Sequence, residues 1–313
     1  MLCGSKLASC VLFRHGCKQM PANAKAPSIA ALQGASPTQF SLSFDGARHA
    51  LWVRCHPTPA PRFTHRFIDD VLAMQRRLTE SHGVVSGSNG EIELKWLVYA
   101  SAVPNVFNLG GDLPFFLQCA REQDAEALYR YARSCIEICL QHAEAYGGTV
   151  STIALVQGMA LGGGFESALS SQWVVAEESA KFALPETKFS LFPGMGAFNL
   201  LARRMPARDA ERIVFSEKVY SAAEMVALGG IDLVVPDGQG VAAVEDWIDR
   251  YPNGRRDHCM RDQPVTEAEL DASIRAWVET AIQMDASDIK LIERLIRSQE
   301  VMLKRTAPKP TPY

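Results

Sequence analysis

The amino-acid sequence predicts a globular α/β protein. Of its 313 residues, 47% are hydrophobic, which is enough to build a sizeable core. Short apolar segments typical of strands alternate with longer segments of helical periodicity through the middle of the chain. From about residue 240 to 305 only helical periodicity is found. These observations favour an α/β region followed by a helical one.

Composition excludes several classes of function. Lys plus Arg number 32 and Asp plus Glu 35, so the net charge of -3 gives no support for binding nucleic acid. The longest apolar runs, such as STIALV, fall far short of the ~20 residues that span a membrane. The eight cysteines are scattered, which is typical of a reducing cytoplasm. Cys135 and Cys139 are predicted to pack in the core, and we expect no metal and no cofactor.

The N-terminal part of the chain is predicted to change from an extension to regular structure near Phe40. Residues 1–38 lack sustained periodicity, so we expect a poorly ordered segment. The next segment, TQFSLSFDGARHALWVRCH, alternates polar and apolar residues around an Asp-Gly turn, which predicts a β-hairpin. In THRFIDDVLAMQRRLTES the apolar residues have helical spacing and Thr64 is a candidate N-cap, which predicts a helix.

The middle of the chain carries the predicted strand–helix alternation. LKWLVYASAV predicts a strand that leads into the glycine-rich FNLGGDLPFF, and a long helix is predicted from about Asp124 to Tyr146. VSTIALVQG predicts a strand, LGGGFESALSSQ a turn followed by a helix, and QWVVAEES a further strand. The next segment, AKFALPETKFSLFPGMGAF, is predicted to be a loop.

The remaining segments complete the predicted organisation. NLLARRMPARDAERIVFSE and SAAEMVALGG are predicted helices, the second closed by Gly229 and Gly230, and IDLVVP is a predicted strand. We therefore expect a core domain over residues 39–240, a helical region over 241–305, and a proline-rich extended tail over 306–313.

Three consecutive glycines, Gly162, Gly163 and Gly164, precede the predicted helix that carries Glu166. Glycine lets a ligand approach the main chain, and the N–H groups at a helix start have no intrahelical partner, so the turn is a candidate oxyanion site. Taken alone, the three glycines are better explained by close packing of a helix on a strand. The pair in FNLGGDL, before another predicted helix, supplies the second amide that an oxyanion hole requires.

Two carboxylates, Glu166 and Glu186, stand among apolar neighbours in GGGFESA and FALPETKF. Burial in such surroundings raises the pKa of a carboxyl group and suits it to acid or base work near neutral pH. Either residue alone is more simply a solvated surface group. Together with the two glycine turns, they describe a site that polarises a thioester carbonyl and moves protons at the adjacent carbons. G-x-S-x-G, H-E-x-x-H and C-x-x-C motifs are absent from the sequence.

Three blocks of the sequence resemble the signature blocks of the crotonase (enoyl-CoA hydratase and isomerase) superfamily, in order and spacing: VFNLGGDL, IALVQGMALGGGFESALSSQWVVAEESAKFALPE and LFPGMGAF. Within it, FNLGGDLPFF, TIALVQGMALGGGFE, LFPGMGA, GQGVAAVE and WVETAIQ are similar to the diffusible-signal-factor synthases, bacterial enzymes that make cis-2-unsaturated fatty acids. The resemblance spans about Phe40 to Gln299. It implies a crotonase (ClpP-like) spiral of ββα units, followed by a helical region used for trimer formation.

The resemblance also implies roles for individual residues. Gly111 and Gly163 would supply the oxyanion amides, and Glu166 and Glu186 the acid and the base, with the two roles exchangeable. Other positions match the subgroup's substrate pocket, and ordinary core packing explains its apolar members equally well: Gly110, Leu161, Met195, Trp277 and Leu295. A basic helical cluster, Arg203, Arg204, Arg208 and Arg212, suits an acidic carrier protein, and a solvated helix face explains it equally well.

The implied reaction is dehydration of a 3-hydroxyacyl thioester of acyl carrier protein, or of CoA, to a cis-2-enoyl thioester. Hydrolysis then releases the free acid, a medium-chain signal of the cis-2-dodecenoic type. Two alternatives stay open: an enoyl-CoA hydratase or isomerase of fatty acid oxidation, and an acyl-binding regulator of a signal receptor. We further expect a homotrimer or hexamer in the cytoplasm, with a cognate signal sensor as a possible partner, and no nucleic acid or membrane partner.

Overall fold

The computed structural model describes residues 26–34, 38–87, 90–254 and 263–306. A short helix, α1 (Ile29–Gln33), begins at Ser28, whose Oγ accepts a hydrogen bond from Ala31 N at 3.1 Å. Its Leu32 is fully buried. The prediction that regular structure begins near Phe40 is therefore wrong. The rest of the predicted extension, residues 1–25 and 35–37, and the tail from residue 307 lie outside the described residues.

Two sheets form the frame of the molecule, with a small two-stranded ribbon beside them. The larger sheet has the spatial order β1 (Phe40–Asp45), β2 (Ala50–Cys55), β5 (Trp96–Ser101), β7 (Ser151–Val156), β9 (Trp173–Glu177), β12 (Leu233–Val235). The smaller sheet has the order β11 (Tyr220–Ser221), β10 (Lys181–Ala183), β8 (Met159–Leu161), β6 (Val106–Asn108), and the ribbon is β3 (Val84–Gly87) with β4 (Gly90–Glu93). Only the β1–β2, β10–β11 and β3–β4 pairs of these described strands are antiparallel.

The helices cover the sheets and form the C-terminal region. They are α2 (His65–Glu80), α3 (Leu113–Glu122), α4 (Ala125–Ala143), the irregular turn α5 (Ala145–Gly148), α6 (Gly163–Ser170), α7 (Ala197–Ala202), α8 (Ala207–Val214), α9 (Ala222–Ala227), α10 (Gly240–Arg250), α11 (Glu267–Ile282) and α12 (Ala286–Thr306). A 3₁₀ helix spans Pro185–Phe189. The predicted helical character of the C-terminal region is confirmed for its described residues.

The chain repeats one structural unit, in which a strand of the large sheet is followed by a strand of the small sheet and then by a helix. β5, β6 and α3 form one such unit, and β7, β8 and α6 form the next. β9 and β10 begin a third, which ends in the 3₁₀ helix. The predicted α/β spiral of ββα units is confirmed. Because equivalent strands lie side by side, the turns after β6 and β8 meet at one edge of the small sheet.

Several local predictions are also confirmed. β1 and β2 form the predicted hairpin, and Thr64 Oγ1 accepts from Phe67 N at 3.3 Å at the start of α2. Cys135 and Cys139 are buried in the core with free thiols. The predicted loop after β9 is a partial error, because it contains β10 and the 3₁₀ helix. None of the helices among the described residues is both long and apolar enough to cross a lipid bilayer.

Candidate active site

The turn after β6 holds the first glycine pair in a fixed shape. Gly110 adopts a left-handed φ of +92°, and its N–H donates to Asn108 Oδ1 at 2.8 Å. Its carbonyl accepts from Phe63 N at 2.9 Å, while Asp112 N donates to the Tyr131 hydroxyl at 2.9 Å. Gly111 N is the amide of this turn for which the described residues contain no hydrogen-bond acceptor. The turn therefore presents one free N–H on a rigid support.

Each glycine in the second turn meets a different steric demand. Gly162 has a φ of +49°, and a Cβ there would overlap Glu186 Oε1, so its missing side chain admits that carboxylate. A Cβ on Gly164 would lie 2.8 Å from the carbonyl carbon of Asn108, so this glycine lets α6 pack on the end of β6. Gly163 is the first residue of α6, and its N–H points out of the helix start without an acceptor among the described residues.

The two glycine turns come together as the sequence predicts. A Cβ built on Gly163 would lie 3.6 Å from Gly111 N and 3.3 Å from Met195 Sδ. The free amides of Gly111 and Gly163 are thus neighbours. Two neighbouring free N–H donors are what an oxyanion hole for a carbonyl oxygen requires.

Glu166 lies in the first turn of α6 and is 1% exposed. Its Oε1 accepts two backbone hydrogen bonds, from Met195 N at 2.9 Å and from Ala197 N at 3.0 Å. Burial raises the pKa of this carboxyl group, and the two N–H donors oppose part of that rise by favouring the charged form. Glu166 is therefore held in one position by the glycine-rich segment that precedes α7.

Glu186 lies on the 3₁₀ helix, and its Oε2 is enclosed with no hydrogen-bond partner among the described residues. Burial raises the pKa of Glu186, and the nearby Glu166 charge raises it further. Beyond the end of this helix, Ser190 Oγ donates to Asp288 Oδ1 on α12 at 2.9 Å. Two buried carboxyl groups with raised pKa values favour a state at neutral pH in which one of the pair carries a proton.

One cavity is lined by both carboxylates, Glu166 and Glu186, and by the two glycines with free amides, Gly111 and Gly163. Of the predicted pocket residues, Gly110, Met195, Trp277 and Leu295 line it. Leu161 does not, which corrects that prediction: its carbonyl oxygen faces the position where a Cβ on Gly110 would lie, at 2.7 Å.

Sequence reasoning missed other residues of the cavity wall. They come from three separate parts of the chain: Leu109, Leu113, Phe116, Pro185, Phe189, Leu191, Gly194 and Gln299. Phe116 and Trp277 stack edge to face with ring centroids 5.0 Å apart, which joins α3 to α11. In the sequence, the apolar faces of these helices are the only local signal for such a wall. An apolar face does not reveal which part of the protein, or which cavity, it packs against.

The predicted basic cluster is largely structural. Arg203 pairs with Glu269 of α11 at 2.7 Å. Arg204, whose side chain is 2% exposed, pairs with Asp232 and donates to the Ser171 carbonyl at 2.6 Å. Both guanidinium groups therefore have ion-pair partners within the protein. The interpretation of all four arginines as a carrier-protein surface is therefore corrected for these two.

Comparison with known proteins identifies the family of the chain. The family model described as enoyl-CoA hydratase/isomerase matches residues 76–296, more than half of the chain. The chain belongs to this family. The fatty acid oxidation complex subunit alpha of Pseudomonas aeruginosa is 30% identical over 190 residues, which are 61% of this chain and 26% of that protein. The chain thus matches about a quarter of that relative's length.

Solved structures show the same crotonase fold. Enoyl-CoA hydratase from Bacillus halodurans superimposes with a TM-score of 0.67 at 18% identity, over 82% of this chain and 100% of that one. Pseudomonas aeruginosa DspI superimposes with a TM-score of 0.54 at 20% identity, over 84% and 95% of the two chains. At these identities the likeness concerns the fold alone.

Proposed function

We propose that this crotonase-family protein dehydrates a 3-hydroxyacyl thioester to the cis-2-enoyl thioester and then hydrolyses it, releasing a medium-chain fatty acid signal. The observation that carries the proposal is the single cavity in which two free amides face two buried carboxylates, with an apolar wall beside them. Sequence similarity to the diffusible-signal-factor synthases, over motifs within this cavity, supports the choice of substrate.

The dehydration follows from the positions of these groups. The thioester carbonyl oxygen accepts hydrogen bonds from Gly111 N and Gly163 N, which lowers the energy of an enolate. Glu166, whose Oε1 accepts two N–H hydrogen bonds that favour the ionised form, removes the C2 proton. Glu186, whose pKa the Glu166 charge raises further, is the protonated member and gives its proton to the departing 3-hydroxyl, which leaves as water. The geometry is equally compatible with the exchanged roles, and one shared proton serves either assignment.

Hydrolysis uses the same groups a second time. A water oxygen attacks the thioester carbonyl carbon while one carboxylate accepts the water proton. The two amides hold the negative oxygen of the tetrahedral intermediate. Collapse then expels the pantetheine thiolate, which takes a proton from the carboxylic acid. The products are the free cis-2-enoic acid and the thiol.

Mass spectrometry of the reaction products tests the proposal. The purified protein is incubated with 3-hydroxydodecanoyl acyl carrier protein, beside the Glu186→Gln variant and a surface variant, Glu126→Gln, as matched control. We expect free cis-2-dodecenoic acid from the wild type and from the control, and none from Glu186→Gln. Full activity of Glu186→Gln would refute the assignment.

A second candidate is an enoyl-CoA hydratase or isomerase of fatty acid oxidation. The similarity to the α subunit of the fatty acid oxidation complex favours it. The same experiment separates the two, because a hydratase interconverts trans-2-enoyl-CoA and 3-hydroxyacyl-CoA reversibly and releases no free acid. An acyl-binding regulator, the third alternative, forms neither product. The described cavity favours catalysis, since its two buried carboxylates stand beside free oxyanion donors.

The oligomer and the partners are also proposals. We propose a homotrimer or a dimer of trimers, with the described helices of the C-terminal region contributing to its contacts, and a carrier protein as the acyl donor. Phe198 and Phe215 are 42% and 63% exposed and line one surface groove together with Phe192 and Val214, and exposed apolar patches of this kind are typical of contact surfaces. Light scattering gives the mass of the assembly, and a monomer in solution would contradict it. Binding of a signal-sensor protein is tested by co-purification.

A further inference from the structure

One polar side chain in the cavity has no part in the steps described above. Gln299, on the last turns of α12, is 5% exposed and lines the cavity. Its amide Nε2 lies 3.5 Å from the carbonyl oxygen of Leu109, at the limit of a hydrogen bond. Its Oε1 is buried with no partner among the described residues. A buried acceptor without a donor is unfavourable unless a ligand or water supplies one.

The neighbours of Gln299 restrict what that ligand is. The wall beside it is apolar and contains Leu109, Phe116, Trp277 and Leu295. Leu109 is followed directly by the glycine turn, so the Gln299 amide contacts the strand end that presents Gly111 N. The unpartnered oxygen therefore belongs to the thioester end of the cavity. An amide oxygen is an acceptor with no useful basicity at neutral pH, so it orients an O–H or N–H group without removing its proton.

We propose that Gln299 Oε1 holds the water that hydrolyses the thioester, an inference that rests on the proposed function. The water donates one hydrogen bond to Gln299 Oε1 and the other to a carboxylate of the Glu166–Glu186 pair. Its oxygen lone pair then faces the carbonyl carbon, whose oxygen is bound by Gly111 N and Gly163 N. That carboxylate takes the water proton as the C–O bond forms, and the C–S bond breaks in the next step. Gln299 is a positioning residue and gains or loses no proton.

The dehydration step does not need this water. Its proton transfers involve C2, the 3-hydroxyl and the two carboxylates. Among the described residues, Gln299 forms no hydrogen bond with either carboxylate. Removing the amide should therefore separate the two halves of the reaction. A merely structural role for Gln299 would lower both halves together.

The experiment supplies the second step with its own substrate. Hydrolysis of the cis-2-dodecenoyl thioester of N-acetylcysteamine is measured for the wild type, Gln299→Met, Gln299→Asn and the exposed-neighbour control Glu300→Gln. Dehydration of 3-hydroxydodecanoyl carrier protein is measured in parallel. We expect Gln299→Met to lower kcat for hydrolysis at least tenfold, with KM and the dehydration rate within about threefold of wild type. Gln299→Asn, which keeps a shorter amide, should give an intermediate rate, and Glu300→Gln should match wild type.

Each result is decisive. Equal losses in both steps, or no loss in either, overturn the positioning role. A wild-type protein that hydrolyses no enoyl thioester also overturns it. A wild type that hydrolyses the enoyl thioester in a Gln299-dependent manner but dehydrates no hydroxyacyl substrate upholds the positioning role and refutes the proposed function. The parallel dehydration rate and the thermal midpoint of each variant identify any variant that fails to fold.

Discussion

The two carboxylates of the site are held in opposite ways. Glu166 sits on a helix inside the core, and two backbone amides bind its Oε1. Glu186 sits on a 3₁₀ turn, and its Oε2 is enclosed without a partner. One carboxylate is fixed by the protein, and the other keeps an oxygen available for a proton that moves. Of the two, Glu186 is therefore the carboxylate that is better placed to exchange a proton with a substrate, although it has fewer hydrogen-bond partners.

Replacing either carboxylate by glutamine should give the largest effect. Loss of a general acid or base typically lowers the rate by about 10²–10⁴-fold, so we expect kcat to fall that far in Glu166→Gln and Glu186→Gln alike. Both variants should fold. A glutamine oxygen at position 166 still accepts hydrogen bonds from Met195 N and Ala197 N, and Glu186 Oε2 has no hydrogen-bond partner to lose among the described residues. Steady-state release of free acid, with circular dichroism of each variant, measures this.

Alanine variants of the two glutamates compare how much each side chain contributes to the free energy of unfolding. Glu166→Ala leaves two buried N–H groups without an acceptor, and each such group costs about 1–3 kcal/mol. Glu186→Ala removes an oxygen that has no partner, so its loss of stability should be smaller. Urea unfolding of the two variants gives the difference. Equal losses would show that the fixed and free carboxylates are supported alike.

Alanine substitutions at the glycines that precede Glu166 should give the next largest loss of activity. Gly162→Ala places a methyl group onto Glu186 Oε1 at a left-handed φ, so we expect roughly a 10²-fold loss of kcat and ~1–3 kcal/mol of strain. Gly163→Ala meets the flexible Met195 Sδ at 3.3 Å and should lose about tenfold at most. Activity and melting temperature of both variants are measured together. A larger loss in Gly163→Ala would contradict the role assigned to Gly162.

The fixed side of the site was more predictable from the sequence than the free side. The run of Gly162, Gly163 and Gly164 before Glu166 is local, and its turn and helix follow from backbone preferences. The roles of Gly162 toward Glu186 and of Gly164 toward Asn108 were not predictable, because they depend on which distant backbone or side chain arrives beside each glycine. The same holds for Gln299, whose contact with Leu109 spans 190 residues.

Segments with weak local signals account for the remaining errors. α1 follows a proline-rich stretch, and it is stabilised by burial of Leu32 rather than by helical periodicity. β10 is three residues long and is recognisable only from its pairing with β8 and β11. The charge of Arg204 was visible in the sequence, whereas its burial against the carbonyls after α6 was not. Local chemistry predicts turns and helices, and tertiary contacts decide what they face.

Trp277 tests whether the apolar wall acts on the substrate or only on the fold. It contacts Phe116, and a Cβ on Gly194 would meet its ring, so a smaller side chain opens the cavity between them. Trp277→Phe should favour longer acyl chains, by roughly fourfold in kcat/KM per added methylene that becomes buried. Products from a mixture of 3-hydroxyacyl carrier proteins of different lengths give the ratio. A lower melting temperature with an unchanged product distribution would place Trp277 in the core alone.

The last expected effect concerns stability rather than activity: Glu186, the carboxylate with a free oxygen, should make the free energy of unfolding depend on pH. Because burial and the Glu166 charge raise the pKa of Glu186 above its usual value of 4.5, the folded protein holds this proton at pH values where the unfolded chain has released it. The contribution of Glu186 to stability is therefore full below pH 4.5 and is lost as the pH rises toward the raised value. Glu186→Gln carries no such term, so its stability relative to wild type should increase by up to about 1.4 kcal/mol per pH unit in this window.

A glutamate with the opposite shift supplies the control. The Lys218 ammonium and the amide and hydroxyl of Ser221 lower the pKa of Glu224 to about 2, so this group stabilises the fold above pH 4.5 and loses that contribution as the pH falls. The wild type should therefore be more stable than Glu224→Gln at neutral pH, and this difference in the free energy of unfolding should shrink as the pH falls. Glu186→Gln should instead gain stability relative to the wild type as the pH rises. Urea unfolding at several pH values between 4 and 8 measures both. A Glu186→Gln gap that is constant with pH would mean that folding does not raise the pKa of Glu186, and the protonated carboxyl group that the proposed dehydration needs would be absent at neutral pH.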